Sequence, residues 1–187
     1  GLIALSACVK GEVPQLILEG LIEEAEQAAL WYKQVFGAFY LELQQHDIPE
    51  LAKVNQELIT MSSRTGLPLV VTNDLHYINQ ADSYAQDVLL CVQTNTTVYE
   101  EKRIKMADDS FYLKSEDEMA SLFPDIPDAI LNTQRIADMC NLELEFGRLH
   151  LPEHETPSAQ TSDEYLAELC WKGLAERYTN VTHEIEQ

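Results

Sequence analysis

The chain has 187 residues, of which 45% are hydrophobic and 24% charged, ordinary proportions for a folded globular protein. Lys+Arg number 12 against Asp+Glu 32, a formal net charge of -20. So acidic a stretch repels phosphate backbones and excludes a grip on nucleic acid through a broad basic face. No apolar run approaches the roughly 18 residues of a membrane helix, and no signal-peptide pattern opens the chain, so a cytoplasmic protein with no membrane partner is expected.

In chain order, residues 2–7 read as a strand and 14–36 as one or two helices interrupted near Gly20. Ala25, Ala28, Ala29, Tyr32 and Val35 recur at helical spacing, with Glu23, Glu24 and Glu26 in the first turn, where the helix dipole favours acid. Residues 39–44 form a second strand. Pro49 then opens a helix carrying Leu51, Val54, Leu58 and Met61, which stops at Gly66. A third strand over 69–76 and a helix over 84–92 follow. Strand and helix alternating in this way predict a parallel sheet or α/β barrel, and so few units predict part of a larger barrel.

Beyond residue 94 the pattern changes. Residues 95–109 are polar and read as a loop, 111–114 as a short extended piece, and Ser115 as the N-cap of a helix with an acidic first turn. Helices broken around Pro124 and Pro127 reach Cys140, and 142–146 alternates like a strand. Residues 150–157 form a Pro-containing linker before a last amphipathic helix with Tyr165, Leu166, Leu169 and Leu174, and His183 starts another. Trp31 and Trp171 sit at helical core positions. With no initiator methionine and a helix beginning at the end, both termini are expected to be cuts from a longer protein.

The third strand ends in Asp74-Leu75-His76. Side chains two apart on a strand share a face, so a carboxylate and an imidazole point the same way at the C-terminal end, where parallel α/β folds build their sites. Such a pair can form part of a divalent-metal site. From spacing alone the commoner reading is Asp74 capping the next turn, with His76 a hydrogen-bonded strand-end histidine.

Alternation extends the set. Phe39, Leu41 and Leu43 form a face that can pack on helices, opposite Tyr40, Glu42 and Gln44. The first strand divides into Ile3, Leu5 and Ala7 against Ala4, Ser6 and Cys8, and the third into Val71, Asn73 and Leu75 against Thr72, Asp74 and His76. If the apolar faces meet the helices, Cys8, Glu42, His46, Asp74 and His76 converge at one barrel mouth. Cys91, Cys140 and Cys170 lie far apart without a C-x-x-C pair and read as small buried apolar residues. His150 and His154 flank Pro152 in the linker, which argues against a helical ligand pair. No P-loop, G-x-G-x-x-G, H-E-x-x-H or G-x-S-x-G pattern is present.

Residues 1–8 (Gly-Leu-Ile-Ala-Leu-Ser-Ala-Cys), 39–44, 71–77, 87–94 and 111–114, in this order, closely resemble the alpha-subunit family of bacterial replicative DNA polymerase III. The resemblance implies an α/β fold, a partial distorted (β/α) barrel of PHP (polymerase and histidinol phosphatase) type followed by a mainly helical connector. Residues 1–94 would be the later part of the PHP barrel, 95–150 its helical and extended end, and 151–187 a linker and the first helix of the polymerase palm region. It implies metal ligands at Cys8, Asp74 and His76, with Glu42 and His46 lining the site behind them. The family's earlier His-x-His and Thr-Asp-His ligands would precede Gly1 and its polymerase carboxylates would follow Gln187, so no catalytic residue falls in this stretch. Ala7 and Asn95 stand where the family usually has glycine, departures that affect backbone freedom more than chemistry.

By the same resemblance, the intact protein would extend primers by nucleotidyl transfer with Mg²⁺. Its PHP site would use Zn²⁺ or Mn²⁺ to hydrolyse phosphoesters, as a 3'-5' exonuclease or a pyrophosphatase. Its partners would be DNA, dNTPs and replisome subunits: the sliding clamp, the clamp loader and a proofreading exonuclease. Two alternatives are a PHP domain acting as a non-catalytic scaffold that docks a separate exonuclease, and a stand-alone PHP phosphatase.

Overall fold

Alternation at residues 38–43 places Phe39, Leu41 and Leu43 on one side of a strand, and all three are buried in the computed structural model, which describes residues 1–149, 152, 154–157 and 160–186. The chain divides into two compact units, Gly1–Asn141 and Leu142–Gln187.

In the first unit a parallel sheet runs in the order β1 (Ile3–Leu5), β2 (Ala38–Leu43), β3 (Leu69–Val71). Between the strands lie α1 (Glu12–Glu19), α2 (Ile22–Phe36) and α3 (Pro49–Thr65). Gly20 ends α1 in the left-handed conformation, its N–H closing on the carbonyls of Ile17 and Leu16, so the expected break falls there. After β3 come a 3-10 turn (Gln80–Asp82), α4 (Ser83–Thr94), α5 (Glu116–Leu122) and α6 (Pro127–Met139). The α/β class and the partial parallel arrangement are therefore as the sequence implied.

The core lies between one face of the sheet and the helices. Ile17, Ala25, Ala29, Val54, Leu58 and Met61 cluster with Phe39, Leu41, Leu43 and Val71. Each large side chain so buried contributes on the order of 1.5–3 kcal/mol. From the other end α6 packs on β3, where the buried Asn132 donates from Nδ2 to the Leu69 carbonyl at 2.7 Å.

Several expectations are corrected. In β1 the helix-facing residue is Ala4, which packs against the core cluster and pairs with Phe39, whereas Ile3 and Leu5 pair with Ala38 and Tyr40. Paired residues of parallel strands share a face, so the larger side chains of β1 lie on the Glu42 side. The third strand stops at Val71 instead of reaching His76. Its partner β2 ends at Leu43, which pairs with Val71 and accepts from the Thr72 N–H at 3.0 Å, and beyond that point no β2 backbone is left to pair with. Trp31 and Trp171 are each 56% exposed, not core, and of the three cysteines read as buried only Cys91 is, with Cys140 and Cys170 exposed.

The second unit contains α7 (Ser162–Arg177) and α8 (His183–Glu186). Thr161 and Glu164 close a reciprocal capping box at the start of α7. Residues 142–146 form no strand, and Leu142, Leu144 and Phe146 are all exposed. Of the expected linker, His150, Leu151 and Glu153 lie outside the described residues, as does Gln187 at the end of the chain. No helix of the described residues is long and apolar enough to cross a membrane.

Candidate metal site

Asp74 and His76 lie three and five residues past the last regular residue of β3, and they meet: His76 Nε2 is 3.2 Å from Asp74 Oδ1, with the two side chains 37% and 41% exposed. The Asp-x-His spacing thus delivers a carboxylate and an imidazole to one point, open to a ligand from outside.

Glu42 takes a different part. It projects from β2 on the face away from the helices, and its Oε1 accepts from Thr72 Oγ1 at 2.5 Å and from Gln44 Nε2 at 3.0 Å. Its own backbone N–H donates to Ser6 Oγ at 2.8 Å. Glu42 therefore ties together the ends of all three strands.

Cys8 is not brought to the pair. Ala7 adopts a left-handed φ of 64°, so strand alternation stops before the cysteine, which enters a turn closed by Gly11 N–H on the Cys8 carbonyl at 2.8 Å. Among the described residues no three His, Cys, Asp or Glu side chains come close enough to hold one metal ion. Asp74 and His76 thus meet as a pair, and Cys8 does not join them in a three-donor group among the described residues.

His46, in the turn between β2 and α3, is 5% exposed. Its ring stacks on Phe111, centroids 3.9 Å apart and planes 3° from parallel, and Nδ1 shares a 2.6 Å hydrogen bond with Ser110 Oγ. Nε2 is buried without a hydrogen-bond partner among the described residues. Burial, and then the Lys114 ammonium, lower the His46 pKa, while the charges of Asp108 and Asp74 oppose that shift. The ring therefore stays neutral at pH 7.

Supporting residues come from 108–114, a segment read from sequence only as the end of a loop and an extended piece. Burial works against the charge of Asp108, but hydrogen bonds from Ser110 and from the Asp47 N–H hold its carboxyl below the ordinary value. Lys114 donates to Asn73 Oδ1 at 3.0 Å and to the Ser110 carbonyl. Nothing local in the sequence marks these pairings, because each joins positions more than 35 residues apart or depends on one that does.

A carboxylate and an imidazole suit a borderline divalent cation, and the donor chemistry fits; two donors do not close a coordination shell. The PHP domain family matches residues 1–46. The DNA polymerase III subunit alpha of Borreliella burgdorferi is 43% identical over 189 residues, covering 100% of this chain and 16% of that protein. That of Treponema pallidum is 44% identical with the same coverage, and the error-prone DNA polymerase of Symbiobacterium thermophilum is 39% identical, covering 100% of this chain and 17% of its own length. From end to end the chain is thus similar to one segment, 16% of the length, of these two DNA polymerase III alpha subunits, and its own residues 1–46 match the PHP domain family.

Proposed function

We propose that this chain is part of the PHP region of a replicative DNA polymerase of the III alpha type, and that Asp74 and His76 supply part of a divalent-metal site there. The carrying observation is identity of 43% and 44% to two such subunits over the whole chain. In the intact protein, primer extension with Mg²⁺ would be performed by carboxylates elsewhere in the polypeptide, on DNA and dNTPs, in company with clamp, clamp loader and proofreading exonuclease. The chain alone performs neither polymerisation nor hydrolysis.

At the PHP site, Asp74 offers an anionic oxygen and His76 a ring nitrogen at one point, and binding there requires His76 Nε2 to present its lone pair in place of a proton. Glu42, engaged by Thr72 and Gln44, orients the strand ends and leaves ligation to others. A bound Zn²⁺ or Mn²⁺ would polarise a phosphoryl oxygen and acidify a water, the chemistry of 3'-5' exonucleolytic or pyrophosphate hydrolysis. Cys8 enters this set on family resemblance alone.

The test is metal content of the polymerase-length protein by inductively coupled plasma mass spectrometry, alongside primer extension. Near-stoichiometric Zn²⁺ or Mn²⁺ that disappears in His76→Ala and Asp74→Ala, with primer extension intact, is the expected result. A metal-free wild type, or full occupancy in His76→Ala, overturns it.

A scaffold that docks a separate exonuclease is the second reading, and a metal-free wild type in the same measurement is the result it predicts. A stand-alone phosphatase fits less well, since similarity to polymerase subunits covers 100% of the chain.

A further inference from the structure

The Asp74–His76 pair stands outside the regular sheet, yet its backbone is not unpartnered. The Phe111 carbonyl accepts from the N–H of His76 at 2.9 Å and of Tyr77 at 3.3 Å, and the Leu113 N–H donates to the Ile78 carbonyl at 3.2 Å. Tyr77 and Tyr112 form an isolated parallel bridge. Asn73 Nδ2 donates to the Tyr112 carbonyl at 2.5 Å and Asn73 Oδ1 accepts from Lys114. Residues 110–114 thus replace the β2 backbone that β3 runs out of at Leu43.

The same segment is anchored at its other end to the β2–α3 turn. Asp108 accepts from the N–H of Asp47 at 2.5 Å and of Ser110 at 2.7 Å, and Ser110 meets His46. At the centre Phe111, 2% exposed, lies with its face on His46 and with the His76 ring edge-on, centroids 5.8 Å apart at 74°. One residue therefore addresses His76 twice, through its carbonyl and through its ring.

We infer that residues 108–114 are a strap that sets the geometry of the Asp74–His76 pair, with Phe111 as its positioning residue. Metal affinity follows from this, because a donor pair held at 3.2 Å by buried contacts pays less ordering entropy on binding than one on a loose loop. The consequence for metal rests on the function proposed above; the positioning itself does not.

The experiment uses the polymerase-length protein and compares wild type with Phe111→Leu, Lys114→Met, His76→Ala and Val54→Ala, the last a core change on α3 away from the strap. Amide hydrogen–deuterium exchange over 73–78 and Zn²⁺ affinity by chelator competition are read on each. Phe111→Leu is expected to speed exchange of this segment about tenfold and to weaken Zn²⁺ binding about tenfold. Lys114→Met, half-buried and safer for folding, should give about a threefold change in each. Val54→Ala should leave both within about twofold. Unchanged exchange in Phe111→Leu and Lys114→Met overturns the strap, as does an equal acceleration in Val54→Ala. If exchange rises as expected but wild type binds no Zn²⁺, the strap stands and the metal site falls. If wild type binds Zn²⁺, His76→Ala loses it and Phe111→Leu keeps both readouts at wild-type values, the metal site stands and the strap falls.

Discussion

Helices α3 and α7 both carry large apolar residues, but only α3 gathers them on one face, and only α3 buries them. Leu51, Val54, Leu58 and Met61 of α3 are in the core, while Leu166, Leu169 and Trp171 of α7 are exposed and no residue of α7 is buried. The last helix is therefore not the amphipathic one expected: Leu166, Leu169 and Trp171 are spread around it, and apolar residues stabilise a helix by packing only when they gather on a face that something covers. Until then a helix such as α7 depends on its own ends, here the capping box of Thr161 and Glu164.

The sharpest way to break this comparison is a matched pair of truncations. Leu58→Ala should cost about 2–5 kcal/mol in urea unfolding of the chain, whereas Leu169→Ala should stay within about 0.5 kcal/mol. Equal costs would show that α7 is covered after all.

Next in size is Gly11, where a Cβ would stand 2.3 Å from the Ser6 carbonyl oxygen. Backbone cannot give way as a flexible side chain can, so Gly11→Ala should destabilise the first unit by about 1–3 kcal/mol, measured by the same unfolding curve. A neutral Gly11→Ala would mean that the turn carrying Cys8 is loose and does not belong to the packed core.

Thr161→Ala removes one half of the α7 box and should cost about 1 kcal/mol of helix stability, read by circular dichroism as lost helicity. Ser115→Ala, at the same type of box on α5, is the comparison within the first unit. Glu118 there is held at about 2 by the Ser115 N–H and by Tyr112 and Ser115 hydroxyls. Its capping support is therefore complete above pH 4.5, the ordinary value, and is lost as pH falls through about 2.

The smallest expected effect is a pH slope from His46. Its folded pKa lies below 6.5, so the unfolded chain takes up a proton that the native ring refuses. Stability is then complete above pH 6.5 and declines as pH falls from there toward the folded value. Thermal unfolding between pH 7 and 5 should show this slope in wild type and a shallower one in His46→Phe. An identical slope in both would place the proton uptake on another group.

Much of the fold is legible in the residues. Pro49 and Gly66 bound α3, Gly20 separates α1 from α2, and alternation at 38–43 marks β2 with its correct buried side. At β1 the same logic chose the wrong side, because Ile3 and Leu5 are the larger side chains. The register with β2 puts the small Ala4 toward the helices instead. For the site, the Asp-x-His spacing was enough to bring Asp74 and His76 together, since two residues on one short segment need no distant partner. Cys8 lay beyond the reach of alternation because Ala7 leaves the extended region. Phe111 was invisible as a site residue because its partners, His46 and His76, lie 65 and 35 positions away along the chain, on different elements.

By itself the sequence determined the net acidity of the chain and, from residues within a few positions of one another, the α/β class, the bounds of α3 and the Asp74–His76 spacing. Only the tertiary structure decided where β3 ends, which side of β1 is inside, and that 108–114 lies against 73–78. Those outcomes depend on which backbone donors and acceptors are left without a neighbour once the strands have paired, and that is a property of the assembled sheet.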